Sequence, residues 1–324
     1  MKKLYFLLPF FLLACKSNTS PVNNKNASSP EKTVSISYKV EQSEVSDFLK
    51  YLSSDELEGR DTGSKGIEKA AVFLEDFFKK NHVKPYFKSY RDTLTNFKTS
   101  AYNIVGVLEG TDPDLKKEFV VLSAHYDHIG LEKKEQPDVI FNGANDDASG
   151  VTVVAQMAKY FAETKSNKRS ILFVFFAGEE KGLLGSKSLV PKLQKLNFNL
   201  YTQLNIEMVG VPMKRDFLAY VTGFDKSNMA EKINEYTGKN TIGFLPKEAE
   251  YKLFYRSDNY SFYEAFKKPC QSISTFDFEN YDFYHHVSDE FKVMDIPHMT
   301  SFIQELLPAV TQISSTPTEE ITMK

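Results

Sequence analysis

Two nearly continuous apolar runs stand out along the chain: FVVLSA at residues 119–124 and ILFVFF at residues 171–176. Such runs, without polar alternation, are typical of strands that are buried on both faces, as in a parallel sheet. Residues 200–206 predict a third, weaker strand of the same kind. Residues 66–81 instead carry apolar side chains at helical spacing, which predicts an amphipathic helix.

Further segments extend this alternation of strands and helices. Strands are predicted at residues 83–90, 100–108, 217–221 and 271–276, and helices at residues 45–52, 150–161 and 299–313. Strands that alternate with helices favour the α/β class, here a three-layer α/β/α domain with a mixed, mostly parallel central sheet. We predict one domain over residues 41–313 and a frayed tail at residues 314–324.

The N-terminus has the pattern of an export signal. Lys2 and Lys3 precede an apolar stretch at residues 4–13, which is shorter than the roughly 20 residues of a permanent membrane span. The stretch ends in LLAC, which resembles a bacterial lipoprotein cleavage site. We therefore predict a lipoprotein signal peptide at residues 1–14, with Cys15 as the lipidated first mature residue. An ordinary signal peptide with an incidental cysteine is the alternative.

Residues 15–40 begin with a polar segment rich in Ser, Asn and Pro, which predicts a flexible tether. A lipid on Cys15 would attach this tether to a membrane. The expected location is therefore the bacterial cell envelope, as a periplasmic or outer-membrane lipoprotein.

The composition of the 324 residues is ordinary for a globular protein, with 41% hydrophobic and 26% charged side chains. There are 40 basic and 43 acidic residues, and the net charge of -3 implies no basic surface for nucleic acid. Two cysteines cannot make a disulfide framework. Cys270 is interpreted as a small buried core residue.

Histidines and carboxylates follow the predicted buried strands. His125 comes directly after the first apolar run, Glu179 and Glu180 follow the second, and Glu207 follows the third. Because ligand sites of open α/β sheets lie outside the carboxyl ends of the strands, we expect these side chains to converge. The segments GANDDASG and YHHVSDE contribute more residues of the same types.

These residue types suit a pair of metal ions. Imidazole nitrogen and carboxylate oxygen are zinc ligands, and one carboxylate can bridge two ions with its two oxygens. In hydrolases with metal ions about 3.5–4 Å apart, a water between the ions becomes the nucleophile. A carboxylate that is not a ligand can relay its proton. Adjacent Glu179 and Glu180 point in different directions and can supply one residue for each task.

Five segments in order, HYDHIG, GANDDASG, FAGEEKGLLGS, NIEMVG and YHHVSDE, resemble the zinc-dependent exopeptidases that include bacterial leucyl aminopeptidases and aminopeptidase Y. Glutamate carboxypeptidase II and the glutaminyl cyclases are more distant relatives. The resemblance covers roughly residues 45–310 and includes the upstream segment ELEGRDTGSKG. It implies the phosphorylase/hydrolase-like form of the three-layer fold and two Zn²⁺ ions as cofactors.

The resemblance also implies five zinc ligands. They are His125 and Glu207 on the first zinc, Glu180 and His285 on the second, and Asp146 as the bridge between them. The family often has Asp where Glu207 stands, and the extra methylene changes the metal spacing or the amine pocket. The consecutive His285 and His286 leave the register open, and we prefer His285 because it directly follows a tyrosine. The family's usual Pro after this motif is Val287 here.

Four other residues receive roles from the same resemblance. Glu179 is the general base, which later protonates the leaving amine. Asp127 orients His125 from behind through its carboxylate. Tyr284 stabilises the tetrahedral oxyanion. Arg256 contacts the substrate, with a structural ion pair as the alternative.

The neighbouring polar residues have simpler interpretations. His82 and His298 fit surface or satisfied structural positions, and His286 is a neighbour of a ligand. His128 is a candidate for contact behind the ligands. Asp147 is expected to cap the helix that follows it.

These features predict a zinc-dependent exopeptidase, in particular an aminopeptidase that removes N-terminal residues from peptides through a zinc-bridging hydroxide. Carboxypeptidase or dipeptidase specificity on the same site is one alternative. A glutaminyl cyclase is another, although those enzymes use a single zinc and typically carry pocket tryptophans, and this chain has no Trp. A non-catalytic binding protein, as among the family's transferrin-receptor relatives, predicts missing ligands, whereas all five positions hold competent residues.

Overall fold

The computed structural model describes Met1 and residues 36–133 and 137–324. The predicted signal peptide, Cys15 and most of the tether therefore lie outside the described residues. Among the described helices, none combines the length and the apolar character that a membrane crossing requires.

One mixed sheet forms the centre of the fold. Its strands are β1 Lys84–Pro85, β2 Arg91–Thr93, β3 Tyr102–Leu108, β4 Phe119–His125, β5 Ser170–Phe176, β6 Leu200–Glu207, β7 Ala219–Val221, β8 Ile242–Gly243 and β9 Cys270–Ser274. The order across the sheet is β1-β3-β5-β4-β6-β9-β7-β8, and β2 also pairs with β3. The four central strands β5, β4, β6 and β9 run parallel, whereas β3 and β7 join them antiparallel.

The two apolar runs form the adjacent parallel strands β4 and β5, and both are largely buried. In β5 the side chains alternate between two cores, because Phe173 and Phe175 pack in one cluster while Val174 and Phe176 pack in the other. Every residue of β5 is buried. The sheet therefore has a packed core on both faces, which confirms the α/β class with a mixed sheet.

Helices cover both faces of the sheet. They are α1 Gln42–Leu52, α2 Lys65–Lys80, α3 Gly150–Thr164, α4 Leu184–Lys195, α5 Met229–Thr237, α6 Pro246–Glu250, α7 Asn259–Phe266 and α8 Ile296–Ser315. The larger core holds side chains of α1, α2, α3, α5 and α8, and the smaller one holds side chains of α4 and α7. The result is a three-layer α/β/α arrangement.

Some local predictions differ from the structure. The strand predicted at residues 83–90 is reduced to the two residues of β1, followed after a bend by β2. Helices α4, α5, α6 and α7 were not predicted from the sequence. In α4, Gly185, Ser186 and an internal Pro191 disfavour a helix locally, yet Leu189 and Leu193 are fully buried. Tertiary packing outweighs local propensity there.

The prediction of a frayed tail is wrong. Ile321 is only 1% exposed, and its backbone amide donates a hydrogen bond to the Tyr201 hydroxyl at 2.8 Å. The Lys232 ammonium lies 2.8 Å from the Glu320 carboxylate, and Ser227 bridges to Met323. A buried apolar side chain and an ion pair thus hold the tail against α5 and β6.

Candidate active site

The topology brings the candidate residues to one edge of the sheet. His125 and Glu207 are the last residues of the parallel strands β4 and β6, and Glu180 lies in the turn after β5. Asp146 lies in the loop that leads into α3, and His285 lies in the loop after β9. The carboxyl ends of adjacent parallel strands meet at this edge, as α/β architecture requires.

Asp146 lies between two pairs of side chains. On one side, His125 Nε2 is 3.1 Å from Asp146 Oδ1 and 3.4 Å from Glu207 Oε2. On the other side, His285 Nε2 is 3.2 Å from Asp146 Oδ2 and 3.2 Å from Glu180 Oε1. Each oxygen of Asp146 therefore faces its own histidine–carboxylate pair.

This geometry fits two metal ions. Donors bound tetrahedrally at about 2.0–2.1 Å from a zinc ion lie about 3.3–3.4 Å from one another. The 3.1–3.4 Å separations around Asp146 match that spacing on both sides. The donors are imidazole nitrogens and carboxylate oxygens. Two clusters of such atoms could each hold an ion: His125 with Asp147 and Glu207, and His128 with Asp146 and Glu180. Asp146 would be the bridge.

The two glutamates after β5 have different electrostatic surroundings. Burial raises the pKa of Glu179 well above its usual value, and Glu207 and Asp258 raise it further. Burial also opposes ionisation of Glu180, but its hydrogen bonds with His128 and His285 hold its pKa below the usual value. Glu179 is therefore suited to accept a proton, and Glu180 is suited to stay ionised as a ligand.

Polar neighbours fix the side chain of Glu207, which is one methylene longer than the Asp that the family often has at this position. Its Oε1 accepts hydrogen bonds from Asn205 Nδ2 at 2.7 Å and from the Ser257 hydroxyl. The other oxygen, Oε2, faces His125. The extra methylene is thus accommodated without loss of the ligand position.

The structure corrects the predicted contact of Asp127. Its carboxylate Oδ1 lies 3.7 Å from His125 Nδ1, which is too far for a hydrogen bond. The backbone carbonyl of Asp127 faces this nitrogen at 3.1 Å instead. The carboxylate accepts hydrogen bonds from the Thr62 hydroxyl at 2.9 Å and from the Glu179 amide at 3.2 Å. Asp127 therefore connects the His125 segment to the Glu179 turn.

A cavity of about 490 Å³ opens onto the paired site. Glu179, Tyr284 and Arg256 line it, together with Lys187. The Tyr284 ring stacks on the His285 ring with centroids 4.0 Å apart. Within the described ranges, the Arg256 guanidinium forms no ion pair with a carboxylate, unlike the structural ion pair considered from the sequence. It is exposed and available to a ligand.

Other predicted neighbours also have defined positions. Asp147 Oδ1 accepts hydrogen bonds from the Gly150 amide at 3.1 Å and the Met208 amide at 2.9 Å. It thus caps the start of α3 and also ties it to the end of β6. His286 is exposed, and its Nδ1 accepts from the Ser288 amide at 3.1 Å, so that His285 alone of this pair faces Asp146.

Sequence reasoning missed Asp289, which holds the bridging residue in place. Its carboxylate accepts hydrogen bonds from the amides of Asn145 at 2.7 Å and Asp146 at 3.1 Å, and from the Tyr281 hydroxyl at 2.6 Å. The loop that carries His285 is therefore tied to the loop that carries Asp146. The signal for Asp289 in the sequence is its position in the YHHVSDE segment, four residues after His285.

Arg60 was also missed, although it lies within the ELEGR segment. It is 1% exposed and donates hydrogen bonds to the carbonyls of Tyr126 and Gly143, each at 2.9 Å. It also donates to the Leu52 and Asn142 carbonyls. Burial lowers the pKa of Arg60 to about 10, which leaves it charged at neutral pH. The Arg60 guanidinium thus holds two loops in place, and its positive charge lies near the carboxylates of the paired site.

Paired metal-binding donors at the carboxyl edge of an α/β sheet, with a separate glutamate beside them, are the arrangement expected of a metal-dependent hydrolase. The family model for Peptidase family M28 matches residues 103–310, and the chain belongs to this family.

Curated relatives match shorter stretches. A protein of Pyrenophora tritici-repentis named "Probable zinc metalloprotease" is 39% identical over 116 residues, which is 35% of this chain and 25% of that protein. Aminopeptidase YwaD of Bacillus subtilis is 30% identical over 149 residues, which is 45% of this chain and 30% of that protein. The matched part of the chain thus spans about a quarter to a third of these relatives' length.

Solved structures share the fold. The LapA aminopeptidase of Legionella pneumophila aligns with a TM-score of 0.65 and 21% identity, over 85% of this chain and 73% of that one. A glutaminyl cyclase of Bacteroides thetaiotaomicron aligns with a TM-score of 0.63 and 15% identity, over 85% and 98%. The fold therefore does not distinguish these two chemistries.

We expect bound metal ions to stabilise the fold, because they neutralise gathered carboxylates. Free Zn²⁺ at about 100 times its Kd should add about 2.7 kcal/mol per site to the free energy of unfolding, and a chelator should remove this gain. Thermal unfolding measures both effects. Asp146→Asn should abolish most of the Zn²⁺-dependent shift, whereas Asp114→Asn, at a side chain 91% exposed, should keep it. If neither Zn²⁺ nor a chelator changed the unfolding temperature of the wild type, the predicted stabilisation by metal would be contradicted.

Proposed function

We propose that this protein is a zinc-dependent aminopeptidase that releases N-terminal residues from peptides. The proposal rests on one observation: the two carboxylate oxygens of Asp146 face separate histidine–carboxylate pairs beside Glu179. The names of the relatives, a zinc metalloprotease and an aminopeptidase, support both the metal and the reaction.

Two zinc ions held by the five donors would supply Lewis acidity toward the peptide carbonyl and would lower the pKa of a water molecule. The chain's own residues then move the proton. Glu179, whose burial raises its pKa, accepts a proton from the attacking water and later gives it to the leaving amine. Tyr284 lines the cavity and stacks on His285, and its hydroxyl would donate a hydrogen bond to the oxyanion.

A second candidate function has its own support. Arg256 and Lys187 both line the cavity, and their positive charges suit a substrate carboxylate. This favours a dipeptidase or carboxypeptidase that recognises the C-terminus of a short peptide. The chain contains no Trp and keeps donors for two metal ions, which disfavours a glutaminyl cyclase.

Glu179→Gln should keep both metal sites and lose most of the turnover. The amide cannot accept the proton, so kcat should fall about 10²–10⁴-fold while zinc content stays at the wild-type level. Peptide hydrolysis and metal analysis of the purified protein measure the two quantities. Glu250→Gln, at an exposed position, is the matched control and should keep full activity. Retained turnover in Glu179→Gln would remove this residue from the reaction.

The end of the peptide that the enzyme recognises can be tested with one leucyl tripeptide in free, N-acetylated and C-terminally amidated forms, together with a leucyl dipeptide. An aminopeptidase should fail on the N-acetylated peptide and cleave the C-terminally amidated one. The reverse pattern would indicate a carboxypeptidase. Tripeptides that resist cleavage in every form, next to a cleaved leucyl dipeptide, would indicate a dipeptidase.

We also propose that the protein is held in the bacterial cell envelope by a lipid on Cys15, on the support of the LLAC segment alone. Cys15→Ser should abolish incorporation of labelled fatty acid in a bacterial host and release the protein from the membrane fraction. Equal labelling of Cys15→Ser and the wild type would contradict the anchor.

A further inference from the structure

A second buried histidine contacts the paired site without belonging to the five donors. His128 is fully buried just after β4, and its Nδ1 lies 3.0 Å from Glu180 Oε1 and 3.8 Å from Asp146 Oδ2. Its ring fits against Gly143, where an added Cβ would come within 2.6 Å of it. The packing therefore fixes the ring beside Glu180.

Two roles are compatible with this position. In one, Nδ1 is a further metal ligand, because His128 can form a cluster with Asp146 and Glu180. In the other, Nδ1 carries the proton and donates a hydrogen bond to Glu180. The two roles require opposite protonation of the ring, since a metal-bound Nδ1 leaves the proton on Nε2.

The surroundings of Nε2 distinguish the two roles. This atom is buried and has no hydrogen-bond partner in the described part of the chain. A ligand histidine almost always donates its other N–H to an oxygen, as His125 can do from Nδ1 to the Asp127 carbonyl at 3.1 Å. A metal-bound His128 would instead bury an unpaired N–H, which costs more than an unpaired acceptor.

We propose that His128 is a positioning residue, whose Nδ1–H donates to Glu180 and fixes this carboxylate as a ligand of the second metal ion. The inference rests on the proposed function, since it assumes the paired zinc site. Glu180 needs this support because it lies in a turn rather than a strand, and its other contact, His285, has a side chain that is 37% exposed.

The test is Zn²⁺ binding by titration calorimetry on the metal-free, full-length protein. Asn places an amide N–H near the position of Nδ1, whereas Gln extends toward Nε2. We expect His128→Gln and His128→Phe to weaken one of the two zinc sites about 10–100-fold and to leave the other within about threefold. His128→Asn should recover most of the affinity. The two polar variants keep the comparison valid even if the Phe variant fails to fold.

His298→Phe is the matched control. His298 is another histidine with a buried Nε2 that has no partner among the described residues, but it lies on α8, and both zinc affinities should be unchanged. The inference is overturned if His128→Gln binds two zinc ions as tightly as the wild type, if it loses both sites equally, or if Asn is no better than Gln. A zinc-loaded crystal structure with Nδ1 about 2.0–2.1 Å from a metal would overturn it in favour of a ligand. A wild type that binds no zinc would overturn the proposed function as well.

Discussion

The site depends on the concentration of negative charge at one edge of a sheet. Eight partly or fully buried carboxylates gather there: Asp127, Asp146, Asp147, Glu179, Glu180, Glu207, Asp258 and Asp289. Like charges in a low-dielectric interior repel strongly, and each also loses its hydration. Such a cluster is stable only if hydrogen-bond donors and cations surround it. The protein supplies Arg60, three imidazoles and a set of backbone amides, and bound metal ions provide the remaining positive charge.

The supporting contacts join segments that are far apart in the sequence. Arg60 reaches the carbonyls of Tyr126 and Gly143, and so connects an N-terminal loop to the HYDH segment and to the loop that leads into α3. Asp289, from near the opposite end of the chain, accepts hydrogen bonds from the consecutive backbone amides of Asn145 and Asp146. The bridging carboxylate is therefore held by its own backbone, and its two oxygens are left free to face the two metal positions.

The sequence predicted the location of the site better than its internal contacts. Apolar runs identify parallel strands, and parallel strands bring the residues that follow them to one edge, so that His125, Glu180 and Glu207 could be expected to meet. Hydrogen-bond partners depend on distances of a few tenths of an ångström, which no residue pattern encodes. For that reason the carboxylate of Asp127 was assigned to His125, whereas it binds the Glu179 amide. Similarly, the burial of Ile321 depends on a tertiary surface that its polar neighbours do not reveal.

The two halves of the paired site differ in the exposure of their histidines and in how their donors are held. The side chain of His125 is 2% exposed, whereas that of His285 is 37% exposed and lies beside Tyr284 on the cavity wall. Residues of both halves line the cavity. The donors His125 and Glu207 end the adjacent strands β4 and β6, so strand geometry fixes them. The donors Glu180 and His285 lie on a turn and a loop and have no strand to hold them. The order of this second pair therefore depends on buried contacts such as the one between His128 and Glu180 rather than on the sheet.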